Sequence, residues 1–388
     1  MMETLLQGTR KLRQFFEDMN LRNPARGTRL PGLDGLRAVS IVLVVICHLA
    51  QSPQFPKIGW LGQLAMEGQF GVQIFFVISG FLITWLFIDE EQKRGRISLT
   101  KFFMRRAVRI FPPALAYLLV LRFLAAAGVL QCGWRDVAYG ALFIRNVLPG
   151  PVATNHFWAL AIEQQFYLMW PLLVVLLAMR GRIALIVAAI IFVPLWRYAH
   201  VANLMGFHEV SIWRFDVMCD SLLAGCLLGL LRQNPGTSAL MRGPYLQSRW
   251  AVVLAILVGV AAIAQPFHAS SLSRAALPAV KALGVAVVIN FAVHGHDSWM
   301  DRFLNLAPMA WMGRLSYSLY IWQQIFCCDY YPWHHYNAIP LNLILTLACA
   351  SASYYILEQP LARVRGRLER GTHTATAVAP IRQRAASL

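Results

Sequence analysis

Acidic side chains are scarce in this chain. Its 388 residues include 18 Asp and Glu against 35 Lys and Arg, and charged residues of both signs make up only 14%. That is too little charge to clothe a soluble domain of this length. With 58% hydrophobic residues and a mean hydropathy of +0.53, the composition is that of a polytopic membrane protein. Other absences narrow the function. The seven cysteines show no metal-ligand spacing. Cys47, Cys219, Cys226 and Cys349 sit in apolar runs as small core residues, and the adjacent Cys327 and Cys328 do not make a disulfide framework. No metal is therefore expected. No RNA- or DNA-binding motif accompanies the net charge of +17, which removes nucleic acid as a partner. No internal repeat is visible, which weighs against an inverted-repeat transporter. The first thirty residues are basic and polar (Arg10, Lys11, Arg13, Arg22, Arg26, Arg29) without an apolar core, so no cleavable signal peptide is expected.

What is present is a series of apolar runs, at roughly 36–52, 70–88, 110–130, 158–178, 183–200, 213–231, 250–266, 276–294, 308–327 and 339–357. They predict an all-α polytopic membrane fold of about ten transmembrane helices. Most Lys and Arg lie in the N-terminal tail, in 89–109, 179–182, 232–249 and 295–307, and in the C-terminal tail. The positive-inside rule then places these segments, and both termini, in the cytoplasm. The same charges would attract anionic lipid headgroups. The organisation read from this is a basic N-terminal tail (1–32), one membrane domain (33–360) and a C-terminal tail (361–388) expected to be disordered. A short amphipathic piece is expected around Leu12–Phe16, and the outer loop 131–157 is expected to be re-entrant or a lid.

Several polar clusters interrupt the apolar runs. Arg37 and His48 lie eleven residues apart in LDGLRAVSIVLVVICHLA, three turns plus about 20°, so they share one helix face about 16 Å apart. An intramembrane cation and imidazole on one face mark a functional site, and Asp34 is placed to pair with Arg37. His48 is a natural general base; the alternative is an imidazole satisfied by a neighbouring carbonyl. In HFWALAIEQQFYLMWP (156–171), Glu163 should reach a depth similar to His48 and orient it, with Tyr167 one turn below; the alternative is pairing with a structural arginine such as Arg214. In KFFMRRAVRIFPP (101–113), Lys101, Arg105, Arg106 and Arg109 crowd one face at the membrane edge, which suits phosphates or simple positive-inside anchoring. In WRFDVMCDSLLAGCLLG (213–229), Arg214, Asp216 and Asp220 stand at the outer mouth of a span, to line an acceptor pocket or to pair among themselves. The small residues Ala224, Gly225 and Gly229 suit close helix packing. Ser316, Tyr317, Tyr320, Gln323 and Gln324 need partners within a span, and Glu358 is expected to partner a nearby arginine.

Taken in order, LDGLRAVSIVLVVICH (33–48), GVQIFFVISGFLIT (71–84), RRAVRIFPP (105–113), HFWALAIEQQFYLMWP (156–171), GRLSYSLYIW (313–322) and ILEQP (356–360) resemble the membrane-bound acyltransferase-3 family over about 33–360. The resemblance implies a multi-pass protein of the bacterial inner membrane. Its activity would be O-acyl transfer, usually of acetyl, from cytoplasmic acyl-CoA to a hydroxyl of a cell-envelope glycan or glycolipid. It implies catalytic roles for His48 and Glu163, and acyl-CoA binding by Arg37, Arg105, Arg106 and Arg109. Asp34, Tyr167, Arg214 and Asp216 are the candidates for contacting the acceptor. Gln323 stands where many members carry histidine, and Ala159 and Ala161 stand where many carry serine. Direct attack of the acceptor on the thioester is the expected route; Ser79 and Ser316 could form an acyl-enzyme, but neither has an adjacent base in sequence. A small-molecule acceptor such as a macrolide, or a glycan or lipid transporter, are the alternatives. The oligomeric state is left open.

Overall fold

The computed structural model describes residues 30, 32–50, 55, 68–148, 150–204, 213–263, 270–295, 298–328 and 339–366. The Leu12–Phe16 piece and most of both tails lie outside the described residues. Among those described, the chain is helical and contains no strand. The helices are α1 (Leu33–Leu49), α2 (Gly68–Arg94), α3 (Leu99–Ala126), α4 (Trp134–Ala141), α5 (Val152–Asn155), α6 (Phe157–Leu176), α7 (Met179–Val201), α8 (Phe215–Met218), α9 (Asp220–Gln233), α10 (Pro235–Met241), α11 (Arg249–Ile263), α12 (Ser271–Ala292), α13 (Trp299–Leu304), α14 (Ala307–Cys327) and α15 (Leu341–Ser353), which runs into a π-helical turn at Tyr354–Glu358.

Each apolar run noted in the sequence is helical at its core. Among the described residues, six stretches are both long and apolar enough to cross a membrane: 68–94, 99–126, 152–176, 179–201, 271–292 and 341–366. The others fall short for visible reasons. The run at 213–231 breaks at Cys219, between α8 and α9, leaving α9 only 14 residues, about 21 Å of helix against an apolar slab of about 30 Å. α1 has 17 residues and α11 has 15. α14 has 21 residues but carries Ser316, Ser318, Gln323 and Gln324.

The apolar surface that remains outside is large. Leu119 and Phe123 of α3, Leu172 and Leu176 of α6, Ile191, Phe192 and Leu195 of α7, and Leu254 and Leu257 of α11 are all exposed. A soluble monomer does not tolerate that much contiguous apolar surface, so these faces belong in lipid.

α2 is the central helix, and it serves two cores. Phe76, Ile83 and Phe87 pack with Tyr117 of α3, Phe157, Phe166 and Trp170 of α6, and Ile321 of α14. Ile74, Val77, Ile78 and Phe81 face Ala224 and Leu228 of α9, Ile289 of α12 and Leu304 of α13. The small residues of α9 do what their type suggests. A Cβ on Gly225 would lie 2.0 Å from the Val77 carbonyl oxygen, so only glycine lets the two backbones meet there. Buried polar groups tie the bundle together: Trp170 Nε1 donates to Thr84 Oγ1 at 2.9 Å. Arg197 of α7 reaches Asp220 at 2.7 Å and the Val217 and Ala275 carbonyls at 2.7 Å.

Candidate active site

A cavity of about 70 Å³, room for several waters, opens between α1, α2, α3, α6 and α14. Its polar wall is Arg37, Ser79, Arg106, Arg109, Glu163, Tyr167, Ser316 and Tyr317; Val72, Phe75, Phe76, Ile110, Leu160 and Tyr320 close the rest. Each helix delivers its residue for a local reason. α3 starts at Ser98, whose hydroxyl accepts from the Lys101 N–H at 3.5 Å; Arg106 and Arg109, three apart, then face the same way. Pro112 and Pro113 cannot donate to the carbonyls of Val108 and Arg109, so the ladder is interrupted beside these arginines. α1 is held against α14 where the Asp34 carbonyl meets Gly313, at which a Cβ would lie 1.8 Å from that oxygen. This close approach seats Arg37 on the wall, 3.3 Å from Asp34. On α6, Glu163 and Tyr167 at i,i+4 share a face.

The cavity wall is unbalanced in charge. Arg37, Arg106 and Arg109 face one carboxylate, Glu163. Among the described residues Arg106 and Arg109 make no ion pair; Arg106 lies over the rings of Tyr167, 4.7 Å from the centroid, and Phe102, at 5.7 Å. Arg109 is solvent-exposed, at the mouth, whereas Arg37 and Arg106 are only partly exposed. Glu163 accepts from Ser79 Oγ at 2.6 Å, with Tyr167 also within hydrogen-bonding reach. Cations in excess of anions, at the neck of an apolar bundle, form a receptor for an anion or for an oxygen that becomes one.

The geometry sorts the residues expected to act. Arg37, Arg106, Arg109, Glu163 and Tyr167 converge on the cavity; Asp34 lies behind Arg37; Arg105 is outside the wall. His48 is not on the wall either. Its Nδ1 lies 2.9 Å from the Val44 carbonyl, so Nδ1 donates, and in the neutral imidazole Nε2 keeps its lone pair. Its titratable neighbour is His156, which precedes Glu163 by seven residues, about 10 Å along α6. Glu163 bonds Ser79, whereas His48 bonds the Val44 carbonyl. Arg214 and Asp216 pair with each other at 2.9 Å, and Asp216 also accepts from Trp196 at 2.8 Å, away from the cavity. Asp220 is taken by Arg197. Glu358 bonds the Ser318 hydroxyl rather than an arginine, with Arg109 as a more distant charge.

Two residues were harder to read from sequence. Ser79 is 84 positions from its carboxylate partner, a distance that leaves no local trace. His156 is buried, ringed by Tyr117, Phe157 and Tyr320 with centroids 4.9–5.6 Å away, and neither ring nitrogen has a hydrogen bond of good geometry. An ionisable side chain heading an apolar run was its available signal.

Fold and cavity together define an integral membrane protein, helical and without strands among the described residues, with a cation-lined internal site. A family profile described as an acyltransferase domain, that of the acyltransferase-3 family, matches residues 30–358. The chain belongs to that family. It is 27% identical over 368 residues to "O-acetyltransferase OatA" of Staphylococcus aureus strain NCTC 8325, covering 86% of this chain and 57% of the relative. A putative O-acetyltransferase of S. aureus strain COL is 26% identical over 369 residues, with the same coverage. The chain thus spans 57% of the length of these relatives. No solved structure matches.

Proposed function

We propose that this protein is an O-acyltransferase of the bacterial inner membrane. It moves an acyl group, acetyl by analogy with the names of its relatives, from acyl-CoA to a hydroxyl of an envelope glycan or glycolipid. The observation that carries this reading is the cavity: three guanidinium groups, one carboxylate and a serine hydroxyl inside an apolar bundle. CoA is a polyphosphate with a long, uncharged arm. Arg109 at the mouth, with Arg105 and Arg106 on the same helix, supplies planar donors for phosphate, on the side that the charge bias assigns to the cytoplasm. Arg37 lies deeper on the wall, where an acyl carbonyl oxygen turning into an oxyanion would need donors.

His48 serves the acceptor. With Nδ1 committed to Val44, Nε2 takes the proton of the acceptor hydroxyl as its oxygen attacks the acyl carbonyl. Asp34 holds Arg37, Tyr167 supports Glu163, and the accessible Arg214–Asp216 pair offers first contacts to a polyol approaching from the other face. The test is the O-acetyl content of the host's surface polysaccharide, with the gene deleted and then restored as wild type or as His48→Ala. Loss on deletion with rescue only by wild type supports the reading. Unchanged O-acetylation in every strain would sink the glycan acceptor.

A further inference from the structure

We infer that the acyl group passes through a covalent ester on Ser79, with Glu163 as the base that activates the serine; this rests on the acyl-transfer reading above. A serine inside a helix ordinarily turns its hydroxyl back onto the carbonyl four residues earlier. Ser79 instead donates to Glu163 Oε1 at 2.6 Å. An ionised carboxylate only accepts, so the hydroxyl proton already points along the line of transfer. Both groups line the cavity, and Arg37, Arg106 and Arg109 line it with them. His48 is off that wall and bonded to Val44. Two bases are therefore available, Glu163 bonded to a nucleophile among the arginines and His48 on α1, with His156 as its titratable neighbour. One base serves each half of the reaction.

In the first half, Ser79 Oγ attacks the thioester carbonyl and its proton passes to Glu163. The tetrahedral oxyanion faces the guanidinium groups; the C–S bond breaks as the O–acyl bond remains. CoA leaves as the thiolate, escorted by arginines, and takes a proton from solvent. In the second half, His48 removes the acceptor's hydroxyl proton and the acceptor oxygen attacks the Ser79 ester. The bond from acyl carbon to Oγ breaks, Ser79 recovers its proton from Glu163, and His48 returns its own to solvent. The sum is acyl-CoA plus alcohol giving ester plus CoA, with no other reactant.

The test uses the purified full chain in lipid nanodiscs with radiolabelled acetyl-CoA and no acceptor, quenched in acid at successive times. Expected are a burst of CoA, label approaching one acetyl per chain on the peptide that contains Ser79, and discharge of the label when acceptor-bearing membranes are added. Ser79→Ala should lose the label and about 10³-fold or more of the transfer. Ser79→Cys should still take label, now as a thioester cleaved by neutral hydroxylamine, which separates lost chemistry from lost folding. His48→Ala should label but not discharge. Wild type that transfers acetyl with no labelled chain at any quench time, or Ser79→Ala that transfers normally, overturns the ester and leaves the acyltransferase reading standing. Wild type that neither labels nor consumes acetyl-CoA, even after acceptor-bearing membranes are added, overturns both.

Discussion

Replacing Gly225 by alanine tests how tightly α2 is held. The added Cβ would stand 2.0 Å from the Val77 carbonyl oxygen and 2.7 Å from the Phe81 nitrogen. Ordinary contact begins at 3.4 Å, so the two backbones must part by about 1.4 Å or α9 must shift along α2. Neither neighbour is a flexible side-chain tip. Overpacking of this kind costs about 1–3 kcal/mol, offset in part by the roughly 1 kcal/mol that alanine gains over glycine in a helix. Ser79 lies two residues beyond Val77 on α2, so the strain should also disturb its 2.6 Å bond to Glu163. A displacement of about 1 Å at a reacting group can cost on the order of 10²-fold in rate. The assay pairs thermal unfolding in detergent with acyl transfer in membranes. Gly181→Ala is the control, because a Cβ there meets nothing nearer than 3.7 Å. The expected result is a lower melting temperature and weakened transfer for Gly225→Ala alone. If it melts and transfers like the control, the close approach of α2 and α9 is wrong.

Arg106→Ala and Arg109→Ala should each raise KM for acetyl-CoA with a smaller effect on kcat, since a charge-assisted bond to phosphate contributes about 1.5–3 kcal/mol; steady-state kinetics in membranes would show the split, and an unchanged KM in both would remove them from the donor site. Arg197→Met leaves Asp220 buried without its partner and should destabilise by about 3–5 kcal/mol, whereas adding Asp220→Leu should recover most of the loss; failure of the double variant to recover in a melting experiment would argue against a simple ion pair. His156→Phe removes no hydrogen bond of good geometry and keeps a ring among Tyr117, Phe157 and Tyr320, so its melting temperature should match or exceed wild type; a clear drop would show that an imidazole nitrogen is anchored.

The parts of the site legible in sequence are those that one helix specifies by itself. Arg106 and Arg109 share a face by their spacing, as do Glu163 and Tyr167, and both pairs reach the cavity. Arg37 is legible because a cation inside an apolar run must point at something polar. Topology gives the side on which a residue emerges, and α6, starting at Phe157, sets Glu163 about 1.7 turns in. Partner choice was not legible, because Ser79–Glu163, Arg197–Asp220 and Ser318–Glu358 join helices whose mutual rotation depends on the packing of the whole bundle. For the fold, hydropathy marks where helices lie but not where a turn such as that at Cys219 divides a run.

The place of α2 between two cores has a consequence for how the protein is made. Ser79 and Thr84 sit in the most enclosed of the six long apolar helices, yet their partners Glu163 and Trp170 lie 84 and 86 residues later in the chain. A ribosome adding about 5–20 residues per second needs roughly 4–17 s to deliver them. Through that interval α2 stands in or beside the bilayer without the partners its hydroxyls finally take, and its second wall, α9 and α12, emerges later still. The helix that organises the finished molecule is thus the one whose insertion most depends on being sheltered until the rest of the chain arrives.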